Sequence, residues 1–196
     1  SFKGKTKFNK KIKLLARDGC SAYSAVSISN LKLKKKFPEY IKKTLKAAGI
    51  QSIHPLVDIV NFVMIESGQP MHVFDQDKIE GDIEVRFAKS KEKIKILGEK
   101  NLKLTKDCLV IADKKAPIAF AGISGGINHS VSKKTRNFLI ESAFFDPSTI
   151  KGKARRYGFQ TDASQRFERG VDFNLHEDSL KAVSYTHLRA HETRSD

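Results

Sequence analysis

Glu141 is the residue whose type and setting most call for a chemical explanation. It stands in the middle of LIESAFF, and a carboxylate in such a run is costly to bury unless something binds it. An exposed position, or an ion pair with an arginine such as Arg155, would meet the same requirement. His72 lies in MHVFD, directly after the turn Gly68-Gln69-Pro70. A neutral imidazole there could take a proton near neutral pH, although a histidine that merely follows a turn needs no function. Asp58 and Asn61 interrupt the apolar run from Val57 to Ile65. They are three apart, hence on one helical face, and once buried each needs partners. Gly122, Gly125 and Gly126 follow a small-residue stretch. Lacking β-carbons, they let a ligand approach the backbone N–H groups closely. No GK[ST] follows them and GxGxxG is absent, so this is no phosphate loop, and a plain turn accounts for the glycines equally well. His54, His72, His129 and His176 show no ligand spacing, so no metal is expected.

The elements that must hold these groups follow from periodicity. Val57 to Ile65 is apolar at almost every position, and a helix apolar all round is a buried helix. Pro55 suits its first position and Gly68 the residue past its end, which predicts a buried helix over 56–67. A second helix runs from Pro38-Glu39 to Ala48, closed by Gly49. Strands are expected within Cys20 to Asn30, at 82–88, 93–97 and 108–113, at the small-residue stretch before Gly122, and at 137–145. Asp146-Pro147 opens a helix ending near Gly158, and 161–170 forms another with Thr161 or Asp162 as cap. The fold class is therefore α+β, with mixed, largely antiparallel sheets, a buried central helix and flanking helices.

Length allows one sizeable core or two small ones, and without a repeat or linker one domain is the simplest reading. Residues 1–17 read as a basic lead-in from a preceding segment and 18–182 as the domain. Residues 183–196 read as a non-native tail, since SYTHLRAHETRSD breaks composition and resembles translated adapter sequence. No apolar run reaches membrane-spanning length, and the two cysteines, Cys20 and Cys108, form no CxxC. A reducing cytosol and no structural zinc are expected. The net charge of +15 invites a polyanion such as RNA. Lysines far outnumber arginines, however, as an AT-rich genome would impose on any protein.

The combination is more specific than its parts. HPLVDIVNFVMIESGQPMHVFD, AGISGG and FLIESAFFDPSTIKGKARRYGFQTDASQRFERGVD occur in this order. They resemble the central editing module of the β subunit of bacterial phenylalanyl-tRNA synthetases, over roughly Cys20 to Ala182. One departure is Val60, where that family usually has threonine before the asparagine of the buried helix. The resemblance implies hydrolysis of tyrosine wrongly esterified to tRNA(Phe). Tyrosine exceeds phenylalanine by one hydroxyl, which an apolar pocket rejects poorly and a hydrogen-bonding second site selects well. By resemblance Glu141 would accept the phenol O–H, beside backbone groups of Gly125 and Gly126. Thr161 and Ala163 would form the wall, while Pro70, His72 and Asn61 would lie near the ester and position a water. Lys151, Lys153, Arg155 and Arg156 would meet the tRNA acceptor end. The intact enzyme implied is a cytoplasmic α2β2 heterotetramer using ATP and magnesium at a site on its α subunit. A freestanding trans-editing deacylase, or a non-catalytic RNA-binding domain of the same fold, would fit the same residues.

Overall fold

The computed structural model describes residues 10–31 and 37–191, the last five as main chain only. The expected lead-in, the lysine-rich stretch before Phe37 and the C-terminal residues thus fall partly outside the described residues.

The centre of the fold is a three-stranded antiparallel sheet, ordered β2 (Cys20–Ile28), β10 (Phe138–Phe145), β3 (Met71–Asp75). Side chains alternate across a strand, and β10 uses both faces. Phe138 and Ile140 join a core with the helices α1 (Glu39–Ala47), α2 (Pro55–Ser67) and α6 (Leu175–His191). Leu139, Ala143 and Phe145 join the second core, with a five-stranded sheet. That sheet runs β1 (Ile12–Leu14), β4 (Ile83–Phe87), β7 (Leu109–Ala112), β8 (Pro117–Phe120), β9 (Ser124–Gly125). Its β1–β4 pair is parallel and the others antiparallel. A hairpin of β5 (Lys93–Lys95) and β6 (Asn101–Lys103) completes the strands. The class is α+β with mixed, largely antiparallel sheets.

The buried helix forms where its sequence demands. His54 is extended and its Nδ1 accepts from the Leu56 N–H at 3.2 Å, Pro55 takes the first turn, and Gly68 closes the helix at φ 83°. That left-handed conformation is one glycine adopts without a β-carbon penalty. Leu56, Ile59, Val60, Val63 and Met64 are buried, so this helix packs between α1, α6 and the three-stranded sheet.

Two elements differ from the sequence reading, and a third runs into the stretch read as a tail. Met71–Asp75, which follows the turn and for which the sequence pattern predicts no element, is a strand paired along its length with β10. The helix expected from Pro147 to Gly158 is two short helices, α3 (Pro147–Ile150) and α4 (Lys153–Arg156), divided by Gly152 at φ 75°. A separate helix, α5 (Asp162–Arg169), follows, capped by Thr161 with Ser164 as its reciprocal partner. Finally, α6 runs without a break past Ser184 to His191, and Val183 is only 1% exposed in the helix-side core. The compositional break in the sequence is not a break in the fold.

Candidate functional site

The register of β3 against β10 sets Glu141 directly opposite His72. Such residues share one face, with β-carbons roughly 4.5–5.5 Å apart. Glu141 shares the parity of Leu139 and Ala143, so it points between the two sheets. There a cavity of about 70 Å³ is lined by Pro70, His72, Gly125, Glu141, Ala163 and the Phe167 ring, among others. β3, β10, β9 and α5 each contribute. Five stretches, spread over nearly a hundred residues, converge on it.

Burial governs the electrostatics. Glu141 is 5% exposed, and loss of solvent pushes its carboxyl up to about 8. Below that pH it is a neutral acid that can both donate and accept. The same cause lowers His72 to about 4, leaving the imidazole neutral at physiological pH. His72 keeps part of its surface exposed, yet Nε2 is closed from solvent and has no hydrogen-bond partner. The ring packs edge-on to Phe74 at 4.5 Å between centroids. Its other neighbour is Gly125: a β-carbon there would stand 2.3 Å from His72 Cε1 and Nε2. The imidazole therefore occupies space that only glycine leaves open.

Not every expected residue reaches the cavity. Asn61 is half-buried on α2 and is not among its lining residues. Its helical neighbour Asp58 instead has a structural task, accepting from the Ser52 hydroxyl and from the Ile53 N–H at 3.1 Å. The Gly126 N–H is committed to Ile118 O at 2.8 Å, and a β-carbon would stand 2.6 Å from that oxygen. Gly126 thus lets two backbones approach. Thr161 lies behind the wall: its hydroxyl caps α5 and donates to Ile123 O at 2.8 Å, tying the helix to the glycine loop. The four cations expected to meet RNA lie on α3–α4, and three of them have acidic partners. Arg156 forks onto Asp107 at 3.0 and 3.2 Å, Lys153 pairs with the same carboxylate, and Arg155 reaches Glu168 at 3.4 Å. Lys151 is exposed. Glu141 has none of these arginines as a partner, so the ion-pair alternative for it does not hold.

Sequence reasoning missed Tyr23. It stands opposite Ala143 on β2, on the Glu141 face and one diagonal step away. Its hydroxyl is buried without a partner, and burial followed by the Glu141 charge raises its pKa well above the ordinary value. Only the strand register, which AYSAVSI does not reveal, identifies it. Among the described residues no group of three His, Cys, Asp or Glu could hold a metal ion, and no helix is long and apolar enough to cross a membrane.

The cavity is small for an aromatic ring. A dry cavity of about 150 Å³ admits benzene, and this one is half that. Admission of a ring requires side chains of the wall to yield. What the arrangement offers is an apolar slot with an uncharged carboxyl at one strand, an uncharged imidazole opposite, and a glycine backbone between.

Residues 19–189 match the family model of the B3/4 domain. The chain is 45% identical over 174 residues to the phenylalanine–tRNA ligase β subunit of Legionella pneumophila (strain Lens), covering 89% of this chain and 22% of that protein. It is 46% identical over 173 residues to that of Idiomarina loihiensis, covering 88% and 22%. It spans about a fifth of the length of these relatives. An N-terminal fragment of the phenylalanyl-tRNA synthetase β subunit from Pyrococcus horikoshii shares the fold. Its TM-score is 0.53 at 15% identity, over 70% of this chain and 44% of that one. The chain belongs to the B3/4 domain family.

Proposed function

We propose that this chain is the editing module of a phenylalanine–tRNA ligase β subunit, cleaving the ester of tyrosine mischarged onto tRNA(Phe). The observation that carries the reading is the cross-strand pair of His72 and Glu141 in an apolar cavity closed by Gly125 and Ala163. An aryl side chain fits apolar walls, and its hydroxyl would meet Glu141 as one of the few polar groups within them. A phenylalanyl group leaves that carboxyl unpaired, which is the discrimination a second site needs. His72, neutral and with an unpartnered ring nitrogen, is placed to orient or deprotonate a water at the ester. The ester is already activated, so positioning supplies much of the rate.

On this reading the remainder of the synthetase performs aminoacylation with ATP and magnesium on an α subunit, in an α2β2 assembly in the cytoplasm. The relatives' names support the enzyme; the module's role rests on the cavity. The test is deacylation of Tyr-tRNA(Phe) and Phe-tRNA(Phe) by the chain. Faster release of tyrosine than of phenylalanine is expected; retained tRNA affinity with no release of either would make it a non-catalytic binding domain.

A further inference from the structure

We propose that Arg166 and Arg169 form the docking site for an RNA backbone phosphate, at a cleft adjoining the cavity. The proposal rests on the editing reading and replaces the α3–α4 cations as the contact to the acceptor end. α5 carries Ala163 and Phe167 into the cavity, and on the same helix Arg166 and Arg169 line a cleft of about 310 Å³. The opposite wall of that cleft is Ser67 and Gly68. Pro70, two residues on, lines the cavity. Cleft and cavity are thus lined by neighbouring residues of the same two segments, α5 and the chain leaving α2, which would bring the end of a strand lying in the cleft toward the cavity.

The two arginines are three apart and project to one side. Among the described residues neither forms an ion pair, whereas Lys153, Arg155 and Arg156 all do. The one acid in the cleft, Asp172, accepts the Asn174 N–H at 2.8 Å. Arg166 Nη1 lies 4.0 Å from where a β-carbon of Gly68 would stand, over the C-terminal end of α2. The helix dipole favours a cation there, which accounts for the orientation of Arg166 but not for exposed Arg169 beside it. Planar guanidinium groups bind phosphate oxygens in pairs.

The experiment measures retention of uncharged tRNA(Phe) across a salt titration for the full chain, R166Q/R169Q and R155Q/R156Q, with far-UV circular dichroism as the folding control. R166Q/R169Q should weaken binding about tenfold and flatten the salt slope by about 0.7 for each single-strand phosphate that is no longer neutralised. R155Q/R156Q should bind as the parent does. In Tyr-tRNA deacylation the R166Q/R169Q loss should fall on KM, with kcat kept. If R166Q disturbs α2, the exposed R169Q alone should still weaken binding and flatten the slope. Unchanged affinity and slope in a folded R166Q/R169Q, or a loss carried by R155Q/R156Q instead, overturns the site. A chain that fails to release tyrosine defeats the editing reading, while the binding comparison still decides the docking site.

Discussion

His72 and Glu141 stand directly opposite each other on adjacent antiparallel strands, yet His72 Nε2 has no hydrogen-bond partner. Burial holds both uncharged near neutral pH, for opposite reasons: it raises the acid and lowers the base. Two neutral polar heads facing one apolar slot are destabilising for the empty fold. Such cost persists at sites where a ligand completes the hydrogen bonds.

Stability should therefore fall as pH rises above about 6.5. Glu141 has a folded pKa near 8 against an ordinary 4.5, so unfolding releases its proton between those values. His72 has a folded pKa near 4 against 6.5, so between 4.5 and 6.5 it takes up a proton on unfolding and opposes the trend. From pH 6.5 to 8 Glu141 acts alone, worth about 2 kcal/mol at 1.36 kcal/mol per unit. Urea unfolding of the chain and E141Q across this range should show the decline in the first and not in the second. Parallel curves would mean that Glu141 is not buried as described.

Gly125→Ala should displace the imidazole. A β-carbon 2.3 Å from His72 Cε1 and Nε2 cannot coexist with the ring where it stands. Overpacking of this kind costs about 1–3 kcal/mol. Ester hydrolysis should drop for tyrosyl and phenylalanyl substrates alike, since the ester is common to both. Normal rates in G125A would show that the position of His72 is immaterial to the chemistry.

Asp58→Ala should destabilise without touching selectivity. It leaves the Ser52 hydroxyl and the Ile53 N–H without their acceptor, costing about 1–3 kcal/mol. Thermal unfolding should come earlier, while the ratio of tyrosine to phenylalanine release stays that of the parent. A changed ratio in a folded D58A would place the polar face of α2 in the site after all.

Much of this was legible in the sequence, and the exceptions have physical causes. The buried helix was readable because Pro55, an apolar run and Gly68 are local signals. Glu141 stood out because an acid in LIESAFF is anomalous whatever the fold. Register was not readable: pairing with β10 turns MHVFD into a strand and brings Tyr23 near Glu141. Neither effect leaves a trace in local spacing. Gly125 and Gly126 look alike in sequence, but one faces His72 and the other Ile118 O. The charges on α3–α4 were visible and their acidic partners, Asp107 and Glu168, were not. Leu, Arg and Ala sustain a helix well, and α6 runs into the stretch whose composition breaks from the rest.

The central claim is that Glu141 reads the tyrosine hydroxyl while His72 serves the ester. The measurement is kcat/KM for Tyr-tRNA(Phe) and Phe-tRNA(Phe) with the parent chain, E141A and H72A, expressed as the ratio of the two substrates. Loss of a hydrogen bond to a neutral acid is worth about 0.5–1.5 kcal/mol, so E141A should lower the ratio roughly two- to tenfold below pH 8. Above pH 8, where the parent carboxyl ionises, the loss should grow. H72A should slow both substrates by similar factors and leave the ratio alone. A folded E141A that slows both substrates equally, or an H72A that loses only the tyrosyl substrate, would contradict the assignment.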